Sequence, residues 1–289
     1  MKLRRKNRWS RASVFAAVAF VASPDLFGCA EVTAAVDPLA VDGRDGGTQV
    51  TYPSLMRVGT AARAGGDYAN AVAIFRRAAE LAPGDPTPLV AAGETLRDMG
   101  RTNEAIVAFN SALARNAHSP LALQGLAKTY LSTGRPELAA EPLATAYQDT
   151  PNDPKVILLL GVSADYTGKH RDAQAFYKHG LELQPNDRAL ILDLALSLAL
   201  SEDYDAAVAQ LRPIAAARDA SPRERQTLAL IYGLKGDRRN AAEYARLDLD
   251  ATAVEHNLAY YETLRHLPPD ARSKAVISAD NGRAPPRPS

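Results

Sequence analysis

The chain has 289 residues and only one cysteine, Cys29, so an internal disulfide is excluded. It also lacks the motifs of several common sites: a Gly-x-x-x-x-Gly-Lys phosphate loop, a His-Glu-x-x-His zinc pattern, a Gly-x-Ser-x-Gly nucleophile turn and a Cys-x-x-Cys pair. The five histidines show no ligand spacing, and we expect them on the solvated surface: His118, His170, His179, His256 and His266. These absences predict a protein that is not an enzyme and that binds no cofactor and no metal.

The charge of the chain has no strong excess of one sign. Lys and Arg number 34 against 33 Asp and Glu, a formal net charge of +1. Six of the bases lie in residues 1–11, and removal of residues 1–28 would leave 28 bases and 32 acids, a net charge of −4. A mildly acidic body predicts no nucleic-acid partner. An uncleaved basic arm is the alternative interpretation of the first residues.

The apolar run at the start of the chain is short. Val14 to Ala22 is nine residues long, which is too short to cross a bilayer and fits the central region of a secretory signal. The stretch Leu26-Phe27-Gly28-Cys29 resembles a bacterial lipobox. That resemblance implies a lipoprotein signal peptide over residues 1–28 and lipidation of Cys29. Because Ala30 follows the cysteine, it also implies an anchor on the periplasmic face of the outer membrane. The alternative is a plain signal cleaved after Ala30, which would leave a periplasmic protein.

A fixed period of thirty-four residues runs through the rest of the chain. One column of the period is always alanine: Ala71, Ala105, Ala139, Ala173, Ala207 and Ala241. A second column is glycine with a single exception, Glu202: Gly66, Gly100, Gly134, Gly168 and Gly236. A period of this length predicts stacked helical hairpins, with the glycine column at the turn inside each hairpin.

Three further columns support the same prediction. One is small: Gly59, Gly93, Ala127, Gly161, Ala195 and Ala229. One is bulky until its last member: Phe75, Phe109, Leu143, Tyr177, Leu211 and Ala245. One holds proline at three of four positions: Pro83, Ala117, Pro151 and Pro185. Small residues allow two helices to approach closely, bulky residues fill the space between hairpins, and proline stops one hairpin before the next.

These columns resemble the tetratricopeptide repeat, a helix–turn–helix unit of this length. The resemblance implies an all-α, right-handed superhelical solenoid with six repeats over residues 52–255. The repeats are expected at 52–85, 86–119, 120–153, 154–187, 188–221 and 222–255. The fifth departs most, because Glu202 replaces the turn glycine and Arg212-Pro213 falls in the second helix, where we expect a kink or an early end.

The segments outside the repeats differ in composition. Residues 29–51 are small and polar and predict a flexible tether, and residues 279–289 predict a disordered tail. Residues 256–278 are predicted to form capping helices. An amphipathic helix over 253–265 would cover the last repeat, and Asp270 could cap a short helix at 271–277.

In proteins with this repeat, the first helix of each hairpin lines a concave groove, and the resemblance therefore implies a partner-binding surface. In the first three repeats the groove positions are charged, with a basic excess: Arg57, Arg63, Arg97 and Lys128, among Thr60, Glu94, Asp98 and Gln124. In the last three they are apolar: Leu158, Leu159, Val162, Tyr166, Leu192, Leu196, Leu200, Leu230 and Leu234. This division suggests a ligand with an apolar helical stretch and an acidic flank. The alternative is that the leucines pack between neighbouring helices or lie under the helix at 253–265.

One further resemblance concerns the biology. The stretches Tyr244–Asp250 and Asn257–Arg265 are similar to the end of the TadD family of tight-adherence (Flp) pilus assembly proteins, which combines a lipoprotein signal with tetratricopeptide repeats. The resemblance implies a non-catalytic scaffold for the secretin or other components of a type IVb pilus machine. A soluble adaptor of another envelope complex and an enzyme-regulatory module are the alternatives.

Overall fold

A computed structural model describes residues 50–280, with side chains described to Ile277. The predicted signal peptide, Cys29, all but the end of the tether and most of the tail lie outside the described residues. Within residues 50–280 the structure contains fourteen α-helices and no strand, which confirms the all-α repeat fold. The chain divides between Ser163 and Ala164 into two compact units, called here the first unit (50–163) and the second unit (164–280).

The first unit consists of three helical hairpins and most of a seventh helix. Its helices are α1 (Tyr52–Ala64), α2 (Tyr68–Leu81), α3 (Thr87–Asp98), α4 (Thr102–Arg115), α5 (Pro120–Ser132), α6 (Pro136–Asp149) and α7 (Pro154–Tyr166), in which the division falls. Within each hairpin the two helices pack on each other, and α2 packs on α3 as α4 packs on α5.

The second unit begins in the last residues of α7 and continues through seven further helices. These are α8 (His170–Leu183), α9 (Arg188–Leu200), α10 (Tyr204–Ala215), α11 (Pro222–Lys235), α12 (Arg238–Ala245), α13 (Ala251–Arg265) and α14 (Pro269–Asp280). Helix α12 has only eight residues, and α13 begins inside the range expected for the sixth repeat. The helix expected at 271–277 is longer and starts at Pro269.

The turn inside each hairpin requires a left-handed backbone. Gly66, Gly100, Gly134, Gly168 and Gly236 all have φ between 67° and 87°, as the glycine column predicted. Glu202 adopts the same conformation, with φ of 67°, and is the only non-glycine residue with positive φ in the part of the chain that the structure describes. A side chain in this region costs about 1 kcal/mol. The fifth turn therefore keeps the geometry of the others at an energetic cost.

Close approach of glycine backbone to aromatic rings packs the first unit. A Cβ placed on Gly93 would lie 2.8 Å from Cε1 of Phe109, and one on Gly125 would lie 2.4 Å from the same atom. Phe109 is fully buried, so its ring fills the space between α3 of its own hairpin and α5 of the next. Gly59 and Phe75 repeat the first of these contacts in the first hairpin.

Two helices contain an internal proline. Helix α10 continues two residues past Pro213 to Ala215, so it has twelve residues where the second helices of the four preceding hairpins have fourteen. This is the early end expected from Arg212-Pro213. Helix α6 contains Pro142 and nevertheless extends over fourteen residues.

Side chains close the start of several helices. Aspartates accept a hydrogen bond from backbone N–H groups at the start of seven helices: Asp67, Asp85, Asp153, Asp187, Asp203, Asp237 and Asp250. Thr51 with Ser54, and Ser221 with Glu224, form reciprocal capping boxes on α1 and α11. Among residues 50–280, no helix combines the length and the apolar character needed to cross a membrane.

Candidate partner-binding surface

The charged positions of the first unit divide into a neutralised group and a free group. Arg63 of α1 lies 2.7 Å from a carboxylate oxygen of Glu94 and 2.6 Å from one of Asp98, both on α3. Burial opposes the charge of Arg63, but hydrogen bonds to Asp98 and Glu94 raise its pKa above the ordinary arginine value. Arg63 is therefore occupied within the fold, and the groove prediction for this residue remains untested.

Three neighbouring cations have no such partner. Arg97 of α3, Lys128 of α5 and Lys155 of α7 form no ion pair with any residue that the structure describes. Burial lowers the pKa of the Lys128 ammonium, and the nearby charges of Arg97 and Lys155 lower it further, against an opposing effect of Glu94. These three residues, called here the cationic face, form a site where an added anion would relieve repulsion.

Lys155 is absent from the groove predicted by sequence. It lies one residue into the first helix of the fourth hairpin, in a repeat whose first helix is otherwise nearly all apolar. Lys155 lies two helical turns before Val162, which occupies the same repeat position as Lys128, so the repeat period and the helical register together could have placed it on the same side. Arg57, which was predicted, is exposed on α1 and has no ion pair within the described residues.

Other polar groove positions of the first unit bond within the fold. The Thr60 hydroxyl donates to the backbone carbonyl of Met56 at 2.8 Å, and the Gln124 amide donates to Asp153 at 2.8 Å. Among the apolar positions, Leu158 and Val162 are half-buried, whereas Leu159 is 6% exposed. Leu158 and Val162 therefore remain partly accessible on α7, close in sequence to Lys155.

The apolar positions of the second unit are mostly covered. Leu192 and Leu200 of α9 and Leu234 of α11 are buried, with 4% or less of their surface exposed. Leu196, Leu230 and Tyr166 are half-buried. Helix α13 packs on α11, and α14 packs on α9. The buried leucines thus contribute to packing in this structure, as the alternative interpretation expected, and their role in partner binding stays a prediction.

A buried polar network underlies α14. The Asp165 carboxylate accepts hydrogen bonds from the Tyr177 hydroxyl at 3.0 Å and the Ser197 hydroxyl at 2.7 Å. Nδ1 of His170 lies 2.7 Å from the same carboxylate, and Nε2 lies 3.0 Å from the Ser273 hydroxyl of α14. His170 was expected on the solvated surface. This expectation is wrong, because its ring bridges α14 to a buried aspartate.

The order Asp165, His170, Ser273 matches that of a hydrolase triad. A nucleophile must be reachable by its substrate, however, and Ser273 is only 5% exposed, within helix α14. We therefore assign the network a structural task, the positioning of α14. No group of three or more potential metal ligands occurs within the described residues.

Arg272 is the second polar link of α14. Its guanidinium donates to Glu202 at 2.7 Å and to the Tyr204 hydroxyl at 3.2 Å. It also donates to the backbone carbonyls of Leu264 and Leu267, both at 3.2 Å, at the end of α13. The Arg272 side chain is 7% exposed, so these bonds replace water almost completely.

Paired charges also occur at the start of α11. Arg188 of α9 donates to Glu224 at 2.6 and 2.7 Å, and these bonds are the main reason that the pKa of Glu224 lies below its usual value. Arg225 binds Asp248 with two of its nitrogens. Burial raises the pKa of Asp248, but the bonds from Arg225 and Gln226 outweigh it and lower the pKa below the ordinary value.

Comparison with known proteins agrees with the hairpin architecture. Three tetratricopeptide-repeat family models match the chain, at residues 52–86, 96–161 and 154–187. The chain contains tetratricopeptide repeats. Repeats of this kind act as protein-interaction scaffolds, and their stacked hairpins offer extended binding surfaces. No curated protein matches the chain.

Several solved structures resemble this repeat protein in fold. PilW, described as a widely conserved type IV pilus biogenesis factor, aligns with a TM-score of 0.65 at 18% identity, over 72% of this chain and 98% of its own. PilF of Pseudomonas aeruginosa aligns at 0.60 and 20% identity, over 72% and 97%. A tetratricopeptide-repeat protein of Parabacteroides merdae aligns at 0.61 and 14% identity, over 75% and 86%. At these identities the likeness shows the fold alone.

Proposed function

We propose that this repeat protein is a non-catalytic scaffold that holds a protein partner during assembly of a type IVb (Flp) pilus, with the secretin or another pilus component as the partner. The observation that carries the binding function is the cationic face, because three neighbouring cations that form no ion pair within the described residues favour an anionic ligand. The pilus assignment is supported by the TadD-like segments at 244–250 and 257–265 and by the fold likeness to PilW and PilF.

The cationic face suggests how a partner is held. An acidic segment of the partner would meet Arg97, Lys128 and Lys155, and apolar side chains next to it would contact Leu158 and Val162. Charge would set the orientation and the rate of encounter, and the apolar contact would contribute affinity. An anion bound at the cluster would also reduce the repulsion from Arg97 and Lys155 that helps to lower the pKa of Lys128.

Cross-linking from a single position tests this proposal. A photo-reactive residue placed at Leu158 in the full chain, in cells of the source organism, should cross-link to a secretin subunit or another pilus component. The matched control is the same photo-reactive residue at Val107, which is 65% exposed on α4, the second helix of its hairpin. It should not cross-link to a pilus component. Cross-links to pilus components that are equal from both positions, or absent from Leu158, would contradict the proposal.

A variant measures the contribution of charge. Replacement of Lys128 by Glu should reduce the Leu158 cross-link at least tenfold, since it reverses the central charge of the cationic face. Lys178→Glu, on an exposed position of α8, changes the net charge equally and should leave the cross-link intact. Equal losses in both variants would indicate that net charge alone matters.

We further propose that Cys29 carries a lipid anchor at the periplasmic face of the outer membrane. A triacylated cysteine would hold the scaffold firmly, because several acyl chains bind a membrane far more tightly than one. The mass of the mature N-terminus distinguishes a modified Cys29 from a plain cut after Ala30. With an anchor, the protein should partition into detergent and Cys29→Ala should move it to the aqueous phase. Recovery of the unaltered protein in the aqueous phase, with no lipid mass on its N-terminus, would support the soluble periplasmic alternative.

A further inference from the structure

Helix α14 departs from the repeating pattern of the second unit. In the preceding hairpins the second helix packs beside its own first helix, as α12 does on α11. After Pro268 and Pro269 the chain instead returns, and α14 packs on α9 as well as on α13. Ala275, Val276 and Ile277 are 4%, 2% and 8% exposed. Helix α14 thus packs against α9, the helix that carries several of the predicted groove leucines, and buries three consecutive apolar residues.

The contacts of α14 are polar at one end and apolar at the other. Arg272 and Ser273 bond to Glu202, Tyr204 and His170, whereas the next turn of the helix buries its apolar residues. This is the arrangement of a helical ligand in a groove, with polar groups that fix its register and apolar groups that contribute affinity. The short connection from α13, at Leu267 to Pro269, keeps this helix at a local concentration on the order of millimolar.

Glu202 provides independent support. Five turns of the array hold glycine in the left-handed conformation, and only this one holds a residue with a side chain. That side chain is the carboxylate that pairs with Arg272 at 2.7 Å. The strained residue is therefore also the residue that binds α14. This is expected if glutamate occupies position 202 because of its contact with Arg272 and not because of the turn, which would favour glycine.

We propose that α14 is a detachable intramolecular ligand, which Glu202 holds on α9 through Arg272, and that its release opens this face to an amphipathic helix of a partner. This inference rests on the proposed partner-binding function. It adds a second binding surface, on α9, which is available only when α14 is released. A competing helix needs an arginine at the position of Arg272 and small or β-branched apolar residues one turn later. The acceptor site on the protein is formed by Glu202, Tyr204 and the part of α9 that α14 covers.

Hydrogen exchange of the full chain tests whether α14 detaches. Amides of residues 271–277 should exchange at least tenfold faster than those of α9, because α14 would open without unfolding of the unit. Glu202→Gly relieves the strained turn but removes the bond to Arg272, so it should speed exchange in α14 at least a further tenfold while α9 and α10 stay protected. Lys274→Ala, at an exposed position of the same helix, is the control and should change nothing.

Two results would overturn the inference. Equal exchange rates in α14 and α9 of the unaltered protein would show that α14 is a fixed part of the fold. An unchanged α14 rate in Glu202→Gly would show that Glu202 does not hold the helix. Circular dichroism of each variant establishes that the helices are retained, so that a general loss of structure is not mistaken for release.

A peptide-binding assay supplies the second test. The assay uses no pilus partner, so a negative result would count against the release of α14 and not against the proposed function. A fluorescein-labelled peptide of residues 267–280 should bind a full chain in which Arg272→Ala and Val276→Asp have undocked its own α14. It should bind the unaltered chain at least tenfold more weakly, because the site is occupied. A peptide carrying Arg272→Ala should not bind either chain. Equal binding of both peptides, or none to the undocked chain, would contradict the proposal.

Discussion

The first helices of the hairpins carry predicted groove positions in both units. In the first unit three cations on these helices form no ion pair with any residue that the structure describes, and in the second unit several of the predicted leucines are buried. Arg97, Lys128 and Lys155 form no ion pair within the described residues, whereas Leu192 and Leu200 are buried and α14 packs on their helix. A charged face can remain in water at small cost, but an apolar face of similar extent is usually covered. An apolar column in a repeat sequence is thus weaker evidence for an open binding site than a charged one.

The largest expected effect concerns the interior packing of the first unit. It tests whether this packing, rather than a covering helix, stabilises the unit. Phe109→Ala removes a fully buried ring that fills the space between two glycines, and should destabilise the protein by about 3–5 kcal/mol. Urea denaturation measures the change. Phe75→Ala is the matched control, because Phe75 is equally buried but closely approaches one glycine, Gly59, so its cost should be smaller. Equal costs would show that the second glycine contact contributes nothing.

An intermediate effect concerns the paired charges of the second unit. Bonds from Arg188 lower the pKa of Glu224, so the folded state favours the carboxylate more than the unfolded chain does. This stability is fully present above the usual glutamate pKa and is lost as the pH falls through the lower, folded-state pKa. Glu224→Gln should cost about 1.5–3 kcal/mol at pH 7 and flatten the decline in stability at acid pH.

Thermal unfolding across that pH range measures both changes. Glu182→Gln is the control, because Glu182 is an exposed carboxylate on α8 of the same unit. Identical pH profiles for Glu224→Gln and the unaltered protein would contradict the prediction.

The smallest effect sharpens the description of the cationic face. Burial and neighbouring cations lower the pKa of Lys128, so the folded state disfavours its charged form. Lys128→Gln should therefore stabilise the protein slightly, by up to about 0.5 kcal/mol at pH 7, while weakening partner binding. Added salt should reduce the gain, since it screens the same repulsion. A destabilising effect would indicate that Lys128 makes a favourable contact.

The hairpins could be predicted from sequence because each column of the repeat reflects a requirement of the local backbone or of local packing. Gly100 must adopt positive φ, and Gly93 must admit the Phe109 ring, whatever the rest of the chain does. The position of α14 follows no such column. Ser273 meets His170 across 103 residues, and the register of the array does not extend to residues 269–280. The exception in the glycine column, Glu202, was visible, but its partner Arg272 could be found only in three dimensions.

Lys155 was missed for a different reason. Leucines dominate the first helix of the fourth hairpin, and a single lysine at its start predicts no site by itself. Its significance comes from Arg97 and Lys128, which lie on other helices. Sites assembled from several repeats have to be identified across the array, position by position, rather than within one helix.

Phe109 has a mechanical consequence. The ring of Phe109 packs against the backbone of both Gly93 and Gly125, so it contacts the second and the third hairpin at once. Under a stretching force, these two hairpins should unfold together rather than one after the other, because separating them removes the packing of the Phe109 ring from both.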